Sequence, residues 1–217
     1  MYPVSDVLKE DAGFPIDVYD PFEGFNRSVY KFNAKFDKYI LMPVVRSYRT
    51  ITPDPVEKSV RNFFANILEI NNIINSLLQL KPGATARATG RLVINTTVGV
   101  LGFWDAATAM GIYRQREDFG QTLARYGVGS GPFLVIPILG PSNVRDFTGF
   151  VADSLIWAEI DPLNFDNDDD LEIPYYLLLG INMRAQQGFQ YYETGSPFEY
   201  DLVRFLYQKA RELEISR

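Results

Sequence analysis

The sequence predicts an all-α fold: a single multi-helix domain with one Gly/Pro-rich hairpin or loop and no transmembrane helix. Three observations predict it. Asp20-Pro21-Phe22-Glu23, Asp54-Pro55-Val56-Glu57 and Ser196-Pro197-Phe198-Glu199 each place an N-cap oxygen before a proline at N1 and a glutamate at N3. That arrangement satisfies orphan N–H groups and seats a negative charge on the positive end of a helix. Apolar residues recur at three-four spacing through long runs, and no long alternating strand pattern is present.

In chain order, the first helix is expected to run from these signals to about Leu41. Phe22, Phe25, Val29, Phe32, Phe36 and Tyr39 form its inward stripe, and Pro43 ends it. Arg27, Lys31, Lys35 and Lys38 fall largely off that stripe. Two readings of them stand: a solvated face, or contact with anionic lipid headgroups. A second helix from Pro55 to about Leu80 buries Val56, Val60, Phe63, Ile67, Ile74 and Leu78. Ile70, Ile73, Leu77 and Leu80 spread its apolar surface around the cylinder, so it wants partners on several sides. Pro82-Gly83 stops it, and a third helix covers about Ala84–Val98, with a shorter one near Asp105–Met110.

From Leu92 to Tyr113 the only charge is Asp105. Asn95, Thr96, Thr97 and the internal glycines make insertion unattractive, so this stretch is read as buried or interfacial short helices. The later helices are Asp118–Tyr126, Asn143–Trp157 with Val144, Phe147, Val151 and Leu155 inward, about Glu172–Tyr192, and Pro197–Leu213.

Tyr126–Val144 is a run of nineteen residues without a charge, flanked by Arg125 and Arg145. Gly127, Gly129, Gly131, Pro132, Pro137, Gly140 and Pro141 rule out a continuous helix across it. A hairpin or extended loop tipped by Phe133, Leu134, Val135, Ile136, Ile138 and Leu139 fits better. It either folds under the domain as core or forms an apolar flap against lipid tails or a partner. The alternating glycines lack the lysine and serine of a phosphate-binding loop.

Composition removes most catalytic classes. With no histidine and no cysteine, a Ser-His-Asp triad, an HExxH zinc site and a Cys-His pair are impossible. Carboxylate, lysine or tyrosine chemistry stays open, yet no spacing singles out a carboxylate pair, and no enzyme or cofactor is read. The run Asp166-Asn167-Asp168-Asp169-Asp170 fails as a calcium loop, because its sixth and twelfth positions are Leu171 and Leu177. A net charge of −6 argues against nucleic acid. That charge is uneven, with 15 basic and 13 acidic groups in residues 1–125 and 6 and 14 in residues 126–217. The opening residues have neither a basic nor an apolar signal region.

Three segments together resemble the MlaA (VacJ) lipoprotein family: DPFEGFNR at Asp20–Arg27, LVINTTVGVLGFWDAA at Leu92–Ala107, and DFGQTLARYGVGSGPFLVIPILGPSNVRD at Asp118–Asp146. The resemblance runs from Asp20 onward, giving an extension over residues 1–19 and a family-like helical domain over residues 20–217. It implies a ring-like helical domain at the Gram-negative outer membrane, seated in the inner leaflet on the periplasmic side. It implies removal of misplaced phospholipid through an amphipathic channel, without chemistry. Its implied partners are phospholipid, a trimeric porin and the periplasmic lipid carrier MlaC. The alternative function is a structural protein that docks a porin and moves no lipid. The family's acylated lipobox cysteine has no counterpart in this chain. On this footing Phe32, Leu101, Phe103 and Trp104 are candidates for channel wall or membrane girdle. Residues 127–140 are the flap, and Arg125 and Arg145 are the candidates for attracting the headgroup phosphate.

Overall fold

The computed structural model describes residues 18–165, 169–193, 196 and 198–216. Helix α1 (Glu23–Phe36) passes through a five-residue π-turn (Asp37–Leu41) directly into α2 (Met42–Ile51). Pro43 therefore does not end the first helix. It lies in the first turn of α2 beside the π-turn, where the Met42 N–H reaches back five residues to the Asp37 carbonyl and the ladder is rearranged around the missing proline N–H. The expected second helix is two, α3 (Asp54–Ile67) and α4 (Glu69–Leu78), broken at Leu68. Then follow α5 (Pro82–Thr97), α6 (Ala106–Ala109), α7 (Phe119–Arg125), strands β1 (Phe133–Ile136) and β2 (Gly140–Asn143), α8 (Val144–Ile160), α9 (Asp169–Gln186) and α10 (Glu199–Ile215). Among the described residues the two four-residue strands are the only sheet, and no helix is long and apolar enough to cross a membrane. Residues Asp166–Asp168 of the acidic run and the first seventeen residues lie outside the description.

Two of the three Pro-led start signals mark helix starts without capping them. Asp20 points inward instead, accepting from Asn26 Nδ2 (2.7 Å) and Arg204 Nη1 (3.1 Å), while α3 starts at Asp54 itself with no side-chain cap. The third, Ser196, accepts at Oγ from the Phe198 N–H at 3.2 Å in the turn before α10. The capping oxygens at other helix starts are Asp105 for α6, Asp118 for α7 and Asn143 for α8.

The interior is polar and the exterior apolar. Helix α1 buries Asn26 and Asn33 beside Val29 and Tyr30, and the π-turn buries Asp37, while Phe22, Phe25, Phe32 and Tyr39 of the expected inward stripe are exposed. Helix α8 buries Arg145, Asp146 and Gly149 and leaves Leu155 67% exposed, with Val144 and Val151 also outward. Val56, Leu77, Leu78 and Leu80 are exposed too, whereas Ile67 is buried. The expected inward faces of α1 and α8 are thus largely reversed, while that of α3–α4 is split, with Ile67 buried, Val60, Phe63 and Ile74 half-buried, and Val56 and Leu78 outward. The reason is physical: periodicity locates an apolar stripe, and the solvent it meets decides which way the stripe faces. A skin of this extent is costly in water, at about 25 cal/mol per Å².

A small apolar centre lies where α1, the hairpin and α10 meet. Val29, Tyr30, Phe133, Val135 and Tyr200 are buried together there. The strands pair antiparallel, with Phe133 opposite Asn143 and Ile136 opposite Gly140. The free edge of β1 is completed by two side chains of α1. Asn26 accepts from the Val135 N–H (2.9 Å) and donates to the Phe133 carbonyl (3.0 Å). Asn33 accepts from the Ile138 N–H (2.8 Å) and donates to the Ile136 carbonyl (3.0 Å). The seven-residue spacing puts both amides on one helix face, about two turns apart.

The close packing of α7 on α8 depends on Gly149, where an added Cβ would fall 2.3 Å from the Gly120 nitrogen.

Candidate functional site

The site is framed by two buried ionic clusters. In the first, Arg91 of α5 is 2% exposed and donates to Glu69 Oε1 (2.8 Å), both Asp105 oxygens (3.2 Å), Thr108 Oγ1 (3.0 Å) and the Ile112 carbonyl. Asn95 adds a donor to Asp105 (3.1 Å) and accepts from the Ala107 N–H (2.9 Å). This cluster anchors both ends of the 98–105 loop, which turns outward through Val100 and Leu101 in the left-handed region (φ 52° and 57°). Leu101, Phe103 and Trp104 are exposed together on it, with Phe103 stacked on Phe63 at 5.3 Å. Phe32 is exposed on a different element, α1, against Phe36.

In the second cluster Asp146 accepts from Arg145 (2.9 Å), Arg211 (2.9 Å), Tyr207 Oη (2.8 Å) and Asn143 Nδ2 (2.7 Å), and Arg211 reaches on to Asp118 at 2.7 Å. Arg145, expected to attract a headgroup, is instead buried in this cluster, because its guanidinium neutralises the adjacent Asp146. Arg125 is exposed at the end of α7. Burial pushes the Asp146 carboxyl upward, but the hydrogen bonds and charge of Arg211, with Tyr207 and Arg145, win and hold it below its ordinary value.

The folded protein therefore releases this proton more readily than the unfolded chain. The stabilisation is complete above the unfolded value, about 3.9, and is lost as pH falls through the lower folded one. Asp146→Asn is expected to lower the melting temperature in detergent at pH 7, with the gap to wild type closing as pH falls from about 4 to below 3. A gap that stays constant across a melting series from pH 7 to pH 2.5 would contradict this.

The hairpin is divided in its role. Phe133 and Val135 face the core and are 2% and 1% exposed; Leu134 and Ile136 are half-buried. Only the turn reaches outward, with Pro137, Ile138 and Leu139 exposed and Gly140 at φ 90° closing it. The flap expected between Gly127 and Gly140 thus buries one face of β1 and exposes its tip and its glycine approach. Gly127 and Gly129 lie in the exposed approach to it, with Gly131 and Pro132 leading into β1.

Behind that tip lies a cavity of about 700 Å³, walled by Phe36, Leu41, Ile138, Leu139, Met183 and Leu206. Its polar margin includes Asn33 and the Asp37–Arg184 ion pair, at 2.6 Å. A second cavity of about 430 Å³ shares Met183 and Gln187 with it and adds three arginines to a wall that keeps Phe64, Leu68 and Leu179. Its lining includes Arg61, Arg114, Arg116, Glu117, Asp118 and Asn182. Burial presses the Arg114 guanidinium below its ordinary pKa; Glu69 offsets part of this, and Arg116 and Arg91 add to it. None of Phe32, Leu101, Phe103 and Trp104 lines either cavity. Sequence reading missed the second cavity, since its arginines come from separate elements and carry no spacing signal. Side by side, an oily cavity and a cation-rich one suit an amphiphile with apolar chains and anionic oxygens.

The class so defined is a helical protein with an apolar exterior around a polar interior, holding an amphiphile-shaped cavity pair. The family model for the MlaA lipoprotein matches residues 18–214, and the chain belongs to that family. An uncharacterised protein of Rickettsia felis is 36% identical over 202 residues, covering 92% of this chain and 79% of its own length. The intermembrane phospholipid transport system lipoprotein MlaA of Escherichia coli K12 is 38% identical over 171 residues, 77% of this chain and 66% of its own. A solved chain from the study "Structural basis for maintenance of bacterial outer membrane lipid asymmetry" superposes with a TM-score of 0.73 at 30% identity, covering 90% of this chain and 98% of that one.

Proposed function

We propose that this protein sits in the inner leaflet of the outer membrane, on its periplasmic side, and removes phospholipids misplaced in the outer leaflet. It then passes them to a soluble periplasmic carrier, MlaC in the family. The observation that carries this reading is the pair of adjoining cavities, one walled by apolar side chains and the other rich in cations. Drawing a phospholipid from a leaflet exposes its tails at about 0.8 kcal/mol per CH₂, so a transport path must offer apolar wall and polar grip together. The exposed apolar skin supports seating in lipid, and the names of the relatives agree with it. Transfer of this kind makes and breaks no covalent bond, so the protein needs no nucleophile.

Leu139→Glu is the direct test. Leu139 is 58% exposed at the hairpin tip and lines the oily cavity, so the change tests the tail path while leaving the buried core intact. Cells carrying only this variant are expected to show several-fold more phospholipid reactive to a non-permeant amine probe, and the purified protein to carry correspondingly less lipid. Normal surface labelling together with a normal lipid load would sink the reading.

A second reading, docking of a trimeric porin without lipid movement, is favoured by the exposed Leu101, Phe103 and Trp104, which lie outside both cavities. Detergent extracts that bind porin and are consistently free of phospholipid would establish it over the first.

A further inference from the structure

The cation-rich cavity carries three arginines against two carboxylates, and both carboxylates are already paired. Of the carboxylates at it, Glu117 is paired with Lys81 at 3.3 Å and Asp118 with Arg211 at 2.7 Å. Arg114 lies 3.5 Å from Glu69, but Glu69 is already held by Arg91 at 2.8 Å, and Arg114 Nε has no hydrogen-bond partner. Among the described residues neither Arg61 nor Arg116 forms an ion pair. Asn182 is 1% exposed, its Oδ1 accepts from Gln186, and its Nδ2 is buried without an acceptor. Two buried donors without acceptors, Asn182 Nδ2 and Arg114 Nε, on one cavity that Arg61 and Arg116 also line are a costly arrangement unless an anionic oxygen fills it.

We infer that this cavity is the phosphate site of the protein: Arg61, Arg114, Arg116 and the Asn182 amide hold the phosphodiester of a phospholipid. The tails then lie in the oily cavity across Met183 and Gln187. The inference rests on the phospholipid reading above and gives it a headgroup contact, replacing the buried Arg145. The recognised chemistry is the phosphate, which every glycerophospholipid carries, so the site takes charged and zwitterionic headgroups alike and rejects a diacylglycerol.

The test is equilibrium dialysis of the full chain in maltoside micelles against three probes: dihexanoyl phosphatidylglycerol, dihexanoylglycerol and inorganic phosphate. The wild type is expected to prefer the phosphatidylglycerol over the phosphate-free lipid on the order of thirtyfold, the effect of one or two charge-assisted hydrogen bonds. The double variant Arg61→Gln, Arg116→Gln changes two exposed, unpaired side chains and so spares folding. It is expected to bring that preference below about threefold with dihexanoylglycerol binding unchanged. A preference retained in the double variant, or absent in the wild type while both lipids bind, overturns the phosphate site and leaves lipid carriage standing. Arginine-dependent binding of inorganic phosphate without binding of either lipid keeps an anion site and overturns lipid carriage. Binding of no probe overturns both.

Discussion

Replacing Arg91 by methionine is expected to lower the unfolding free energy by about 3–5 kcal/mol, the range for breaking a buried pair by removing one partner. In a chain of this size that reads as a fall of roughly 6–20 °C in melting temperature in detergent. Methionine fills much of the space, so the loss is electrostatic rather than a cavity effect. It leaves Glu69, 1% exposed, without its 2.8 Å partner, and takes from Asp105 the cation that helps hold its carboxyl below the ordinary value. The Asp105 cap on α6 and the Ile112 carbonyl lose support with it. Adding Glu69→Gln to Arg91→Met is expected to recover part of the loss by removing the stranded charge. A single variant that melts within 2 °C of wild type, or a double variant no better than the single, would show that the cluster does not hold the fold.

Gly149→Ala is expected to be nearly as damaging, at about 3 kcal/mol or more, from a single methyl group. The added carbon would lie 2.3 Å from the Gly120 nitrogen and 2.7 Å from its Cα, and backbone cannot swing aside as a side chain can. Helix α7 must then lift from α8. That pulls at the Phe119 N–H bond to Asp153 (2.9 Å) and at the Asp118–Arg211 pair. Gly90→Ala is the matched control: it lies within α5 with nothing within 4 Å of the new carbon, so a gain of about 0.5–1 kcal/mol is expected. Thermal melts of the two variants should move in opposite directions. A Gly149→Ala protein as stable as wild type would mean that the two helices do not pack this closely.

Most helices were legible from three-four periodicity and from proline and glycine breaks, because those signals are local. Asp105, Asp118 and Asn143 even stood at the correct helix starts. The reading failed where the answer depends on what surrounds a helix. Phe25 and Phe32 form a stripe on α1, and Asn26 and Asn33 form another; nothing local says which one meets lipid. The hairpin was legible from its prolines and glycines, but not its division into a buried strand pair and an exposed tip. Asp20 carried a strong capping signature and was taken for long-range bonds to α10 instead. The cation-rich cavity was beyond reach, since Arg61 on α3, Arg114 and Arg116 after α6, and Asn182 on α9 meet only once those elements pack.

The two asparagines of α1 that complete the edge of β1 carry a mechanical consequence. Swinging the hairpin away from α1 would strand four polar groups of the backbone and the two amides that serve them, each at about 1–3 kcal/mol when buried. Helix and hairpin therefore move as one lever, with Asn26 and Asn33 as its rivets. Helix α10 is bound into the same unit by the Arg27–Asp201 pair and the Tyr30–Glu199 bond, so widening of the cavity behind the tip falls to α9, which supplies Met183 and is clasped to the π-turn by the Asp37–Arg184 ion pair.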